Sequence, residues 1–441
     1  GETYYNIASG LKLTAGLRWT DDRKHFVDIP SELLANGWGY PSSGVVDQQW
    51  NELTGRVALN WSPKLAFTDQ TLVYGSYAHG YKAGGANPPG ARFGLGQNFA
   101  IDAQSGLPSD FSALPTHPLT FKPEFIDAFE LGSKNTLLDG ALTLNGSVFY
   151  YNYQNYQISQ IVDRTSVNLN FDAHANGAEI EATYEPTPGL RFNFAGGWEH
   201  AELAKGSRAV DLMDRTAGVR HWSIYKPFAT QASNCILPNY VILALYHADS
   251  GSLDQNASLA CEHAYNLGED PVTQLPYVPN PTLENSFYPD KPPVPLNPTL
   301  LGYPGFDPLS VDSNAPANMN TGLGLPPNGG EGFAKDLSGN QLPNAPPLTV
   351  SFGAQYSVPL SSDWAGTLRG DYYWQDYSWA RVFNDNPYDR LRGYTTINLS
   401  LIFTNQSGWQ AMAYIKNVFN VTAITGDFLN SDDSGLTTNV F

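Results

Sequence analysis

The stretch Leu72–Gly85, LVYGSYAHGYKAGG, places His79, Lys82 and three glycines within its last seven residues. Such residues suit a phosphate-cradling loop when the glycines lie between a strand and a helix whose first N–H groups point at the anion. Here the chain continues ANPPGARFGLG. Paired prolines and spaced glycines do not start a helix, so the phosphate reading fails and no enzyme is expected. The glycines suit a backbone that bends out of a sheet, which would place His79, Tyr81 and Lys82 at a rim. The eight histidines include no HExxH motif and no pair at metal-ligand spacing, and no Ser-His-Asp arrangement can be argued from spacing. No catalytic residue, metal site or cofactor is assigned.

The elements that position such a rim are strands. LKLTAGLRWT sets Leu11, Leu13, Ala15, Leu17 and Trp19 against Lys12, Thr14, Gly16, Arg18 and Thr20. That period of two puts one face in an apolar medium and the other in a polar one. Ala178, Ile180, Ala182 and Tyr184 alternate in the same way with Glu179, Glu181, Thr183 and Glu185. Ile397, Leu399, Leu401 and Phe403 alternate with Thr396, Asn398, Ser400 and Thr404. Trp364–Arg381 reads as one long strand. Its polar side carries Arg369, Asp371, Tyr377 and Arg381. The 441 residues are only 15% charged and 13% aromatic, and no apolar run is long enough for a membrane helix. A chain poor in charge and rich in Tyr, Trp and Gly, with its apolar signal on alternate residues, fits a membrane β-barrel. A soluble β-sandwich is the bland alternative. The net charge of −18 argues against nucleic acid as a partner.

The connections sort by length. Short turns near Ile7–Gly10, Ser62–Gln70, Asn135–Gly140, Pro186–Gly189, Pro359–Asp363 and Asn405–Gly408 alternate with long loops. The loops are Val27–Gln48, Ala83–Thr120, Gln154–Ala173, Lys205–Ala345, Val382–Arg390 and the tail after Val418. Outer-membrane barrels have short periplasmic turns and long extracellular loops. The expectation is an all-β, transmembrane, antiparallel up-and-down barrel, incomplete at about twelve strands. Strands would be lacking before Glu2 and at least one after Asn417, because unpaired backbone in lipid is costly. The whole of 1–441 is then partial barrel, with 205–345 a Pro-rich extracellular insertion whose composition disfavours regular structure. Cys235 and Cys261 both lie in that insertion. An oxidising exterior favours a disulfide between them, with free or metal-binding thiols as the alternative.

Several motifs carry a family resemblance. YGSYAHGYKAGGAN, then FKPEFIDAFELGSKNTLLDGALTLNGSVFYYNYQNYQ, with LTAGLRWTDDRK before and IKNVFN and DDSGLTTNVF near the end, resemble in order the barrel half of TonB-dependent outer-membrane receptors. What the resemblance implies is energy-coupled uptake of a scarce ligand, a ferric siderophore foremost, across the outer membrane of a Gram-negative bacterium. It also implies a monomer in outer-membrane lipid, with extracellular loops that bind the ligand and a plug domain, absent here, that couples to TonB. In a 22-stranded barrel these would be about strands 10 to 21. Tyr377, Trp379 and Arg381 then join His79, Tyr81 and Lys82 as ligand-binding candidates; girdle aromatics are the plainer account of the first two. Glu130, Lys134, Glu179, Glu181, Arg369 and Asp371 become lumen-facing candidates for plug contact, or simply a hydrated charge ladder. A passive porin or sugar channel, a cobalamin or glycan receptor, and a surface adhesin stay open as alternatives.

Overall fold

The computed structural model describes residues 1–27, 45–87, 120–162, 165–211, 213–219 and 333–431, together with the short strand segments 31–35, 38–40, 222–225, 235–238 and 436–440. Twelve strands form one sheet: β1 Glu2–Ala8, β2 Leu11–Val27, β3 Val45–Trp61, β4 Gln70–Lys82, β5 Glu124–Leu137, β6 Leu142–Val162, β7 Thr165–Thr187, β8 Leu190–Leu203, β9 Leu348–Pro359, β10 Trp364–Gln375, β11 Tyr394–Asn405 and β12 Gln410–Ile415. Each pairs antiparallel with its neighbours in chain order. The sheet is open: among the described residues β1 pairs only with β2, and β12 only with β11. One 3-10 turn, Pro387–Asp389, is the only helical element among the described residues.

Period-two alternation becomes two faces because paired residues in a sheet share a side. One register row runs Tyr5, Leu13, Leu59, Gly75, Leu131, Val148, Ala178, Trp198 and Leu348 across nine strands. Leu131 is 58% exposed and Val148 52%, so this apolar face is covered by none of the described residues. The opposite face carries rows such as Ser76, Glu130, Phe149, Gly177 and Glu199. An apolar outer face and a polar inner one is the inverse of a soluble sandwich and the pattern of a lipid-facing barrel wall.

Close packing on the inner face makes Gly177 a sensitive position. A Cβ there would stand 2.3 Å from the Trp198 carbonyl oxygen and 2.5 Å from the Phe149 ring. Gly177→Ala is expected to cost about 1–3 kcal/mol by overpacking. Gly146→Ala, where the nearest atom is 3.7 Å away, is expected to stay within about 0.5 kcal/mol. Urea titration of the two variants against the parent measures the difference.

Three sequence expectations are corrected. Gln154–Ala173 is not a loop: β6 and β7 continue through it as paired strands. The expected alternation breaks there because a bulge falls between Tyr153 and Tyr156, with Asn155 at φ 54°, a conformation Asn tolerates. Above the membrane this hairpin no longer needs an apolar face; its polar residues bond to backbone instead, as Asn170 does to the Asn155 carbonyl at 2.8 Å. The strand from Trp364 ends at Gln375, not Arg381: the Asp376 amide makes a last bond to Leu348 O at 2.9 Å, where β9 begins, and the chain then turns into a separate two-stranded pair, Ser378–Trp379 with Arg390–Leu391. The ends of the insertion have regular structure: Arg208–Val210 pairs with Ala334–Asp336 as an antiparallel neck.

The buried apolar core lies at one end of the sheet, not beneath it. Phe171, Ala173, Ala175, Ala201 and Leu203 from β7 and β8 pack with Ala209, Leu337, Leu342, Val382 and Phe383. Ala173 and Ala175 alternate onto the same face as Gly177, Glu179 and Glu181, the inner one. The residues after β8, those before β9 and the β10–β11 connection therefore fold inward, across the inner surface at the long-loop end. Residues 339–342 extend the edge of β8, with Gly339 N to Leu203 O at 2.9 Å and Leu342 N to Ala201 O at 2.9 Å.

Candidate functional site

The inward-folded connections are fastened by charge. Arg381 donates from Nε and Nη2 to the Asp389 carboxylate at 2.9 and 2.7 Å, and from Nη1 to Asp211 Oδ1 at 2.8 Å. Lys335 Nζ donates to Asp211 Oδ2 at 2.9 Å and to Asp385 Oδ2 at 2.7 Å. Asp211 and Asp389 are almost fully buried. Burial pushes the Asp211 carboxyl up, but Arg381 and Lys335 outweigh it and hold it below its ordinary value. Burial likewise works against the Arg381 charge, and the paired carboxylates of Asp389 and Asp211 overcome it. A cation buried this way persists only with its partners in place. The Arg381 guanidinium also lies over the Phe383 ring, 5.0 Å from its centroid. Beside this network opens a cavity of about 800 Å³, lined among others by Arg208, Asp214, Phe333, Lys335, Phe383 and Asp385. Its volume falls in the range of small-molecule sites.

The candidates from sequence are distributed unevenly around this mouth. Arg381 is at its centre, with its charge already met by two carboxylates. Tyr377 lies nearby, its ring under the Arg390 guanidinium at 4.1 Å and edge-on to Trp379 at 6.4 Å between centroids. Lys82 is on the inner face, 3.7 Å from Glu124. His79 and Tyr81 alternate onto the outer face. His79 Nδ1 is 2.8 Å from Asp127 Oδ1, and Tyr81 packs on Phe125 at 5.6 Å. The glycines of KAGG serve close approach: a Cβ at Gly84 would lie 2.4 Å from Phe121 O, and one at Gly85 2.5 Å from the Phe121 ring.

Further down the inner face, Glu130 accepts from the Tyr74 hydroxyl, and Lys134 lies over the Tyr74 ring at 5.9 Å. Arg369 is engaged by Asp371 at 2.6 and 3.0 Å and by Gln355 at 3.0 Å. Glu179 and Glu181 are exposed on the inner face. The Cys235–Cys261 pairing lies outside the described residues. Among the described residues no group of His, Cys, Asp or Glu is arranged to hold a metal ion.

Sequence reasoning missed Asp211, Lys335, Asp385 and Asp389. Asp211 lies 170 residues from Arg381, and no local motif joins them. The one available signal was an arginine on a rim where an aromatic girdle has no use for it.

A family model described as TonB dependent receptor-like, beta-barrel matches residues 1–252 and 312–418. Among curated protein sequences none matches significantly. Solved structures similar to this chain include the ferric yersiniabactin uptake receptor FyuA from Yersinia pestis, at 13% identity and TM-score 0.52, covering 98% of this chain and 41% of that one. The siderophore receptor PiuA from Acinetobacter baumannii is similar at 14% identity and TM-score 0.49, covering 99% of this chain and 40% of that one. The chain thus spans about two fifths of the length of these structures. At this identity the likeness to FyuA speaks for the fold alone. The family model adds the membership: its match takes in both flanks of the proline-rich insertion and every strand of the sheet, and the chain belongs to the TonB-dependent receptor β-barrel family.

Proposed function

We propose that this chain is the ligand-admitting wall and mouth of a TonB-dependent receptor, which takes up a ferric siderophore across a Gram-negative outer membrane. The family is one of transport receptors, not enzymes. The observation that carries the proposal is the inward-folded mouth. Loops locked across the inner face form a cavity of about 800 Å³ with both charge signs and an aromatic wall, as a bulky polar chelate requires. Phe333, Phe383, Arg208 and Lys335 on the cavity wall contact the ligand, Tyr377, Trp379 and Lys82 meet it outside that lining, and Arg381 holds the loops. The acidic inner face, with Glu130, Glu179 and Glu181, meets a plug that communicates with TonB. The 205–345 insertion is extracellular, and the receptor works as a monomer.

The test is equilibrium titration of the chain with ferric hydroxamate and ferric catecholate chelates, with free iron salts, and with oligosaccharides. A chelate is expected to bind more tightly than free iron, and Phe333→Ala, on the cavity wall, is expected to weaken it by about tenfold or more, as loss of an aromatic anchor does. Affinity for an oligosaccharide alone would sink the proposal. The inward-folded loops also suit a passive channel with a constriction. That second reading wins if the protein conducts small ions in a planar bilayer and binds no chelate.

A further inference from the structure

The charges on the wall of the mouth cavity restrict what enters it. Among the described residues that line it, Arg208 and Lys335 are positive, and Asp214, Asp336 and Asp385 are negative. Carboxylates therefore outnumber cations. Three of them crowd the Lys335 ammonium: Asp385 at 2.7 Å, Asp211 behind the wall at 2.9 Å, and Asp214 at 3.5 Å. Arg208 stands opposite Asp336 across the neck, and its Nη2 donates to the Ala334 carbonyl at 3.1 Å. Two further arginines lie behind the lining. Arg381 is bonded to Asp389 and Asp211, and Arg215 is almost fully buried. The chain as a whole has a net charge of −18, which adds to the sign of the wall.

Ferric chelates divide by charge. Iron held by three hydroxamates is uncharged, because each hydroxamate loses a single proton. Iron held by three catecholates is triply negative, because each catechol loses both of its protons. A carboxylate-rich wall repels that anion, and the repulsion strengthens as water is expelled. The anion must also compete with Asp211, Asp214 and Asp385 for Lys335. An uncharged chelate meets neither obstacle. The N–H groups of Arg208 and Lys335 donate to hydroxamate oxygens, and the carboxylates have lone pairs for amide N–H groups on the chelate's arms. A pendant ammonium on the chelate gains from Asp336 and Asp385.

We infer that the mouth selects its chelate by charge: it takes a ferric trihydroxamate without net negative charge and rejects a ferric tris-catecholate. The carboxylates act as the repulsive element that specificity between similar ligands needs. The inference rests on the ferric-chelate reading of this cavity and names the chelate class within it.

The test titrates the full chain, folded in detergent, with two ferric complexes. One is that of desferrioxamine B, a trihydroxamate bearing an ammonium, and the other that of enterobactin, a tris-catecholate. The hydroxamate is expected to bind about tenfold or more tightly than the catecholate. Added salt is expected to narrow that gap, because it screens the repelling carboxylates. The double variant Asp214→Asn, Asp385→Asn keeps the side-chain shapes and leaves the lining with more cations than carboxylates. It is expected to bind the catecholate about tenfold or more tightly than the parent does, and the hydroxamate more weakly. A mouth that had merely unfolded would lose both. Where the variant does not fold, the salt series on the parent decides. Equal affinities, a tighter catecholate, a gap that salt leaves unchanged, or a variant no better for the catecholate overturns the inference and leaves the ferric-chelate reading standing. Binding of neither complex sinks both.

Discussion

Asp211→Ala is expected to release the folded mouth while leaving the sheet in place. The Asp211 carboxylate serves two cations, Arg381 at 2.8 Å and Lys335 at 2.9 Å, and its side chain is 2% exposed. Removing it leaves Arg381 with Asp389 and Lys335 with Asp385 but takes one charged hydrogen bond from each cation, a loss of about 1.5–3 kcal/mol apiece. The loss falls on the mouth because these contacts join both arms of the β8–β9 connection to the β10–β11 connection and join no strands of the twelve-stranded sheet. Limited proteolysis of 205–219, with exchange of the Leu337 amide that bonds to Ser207 O, reads the effect. An unchanged cleavage rate and unchanged protection would show that the apolar core alone holds the loops.

The same carboxylate gives the mouth a pH dependence. Its folded value is depressed below the ordinary 3.8, so its stabilisation is complete above that ordinary value. It is lost as pH falls through the lower, folded value. Acid below about pH 4 is therefore expected to loosen the parent mouth, and to have little further effect on Asp211→Ala.

Leu131→Arg is expected to be the most damaging single change in the wall itself. Leu131 lies mid-strand on the outer face, 58% exposed. In a soluble protein, an exposed leucine exchanged for arginine costs almost nothing. Facing lipid near the bilayer midplane, the same change costs about 2–4 kcal/mol. Ser351→Arg, on the inner face of β9, is the control and is expected to stay within about 1 kcal/mol. Urea titration of both variants in lipid vesicles decides; equal stabilities would mean that the apolar face does not meet hydrocarbon.

Legibility from sequence followed the range of the interactions. Leu11 to Trp19 and Ala178 to Tyr184 announced their strands because alternation is a property of adjacent residues and the lipid demands it at every second position. Thr165 to Asp172 hid a strand because, above the lipid, paired backbone needs no apolar face. Arg381 was nominated as a ligand contact because a girdle has no need of an arginine; its partners at positions 211 and 389 come from different connections, and only the fold brings them together. His79 and Tyr81 shared a motif with Lys82 yet alternate onto the other face from it, a consequence of strand geometry that a motif does not display.

The antiparallel neck, Arg208–Val210 against Ala334–Asp336, also changes what the length of the insertion costs. By pinning the two arms side by side next to the sheet, it fixes the ends of whatever length of chain lies between them. The entropy of closing a loop grows only as the logarithm of its length, about 0.6 kcal/mol for each doubling. Length gained or lost between the arms therefore has almost no consequence for the pairing of β8 with β9.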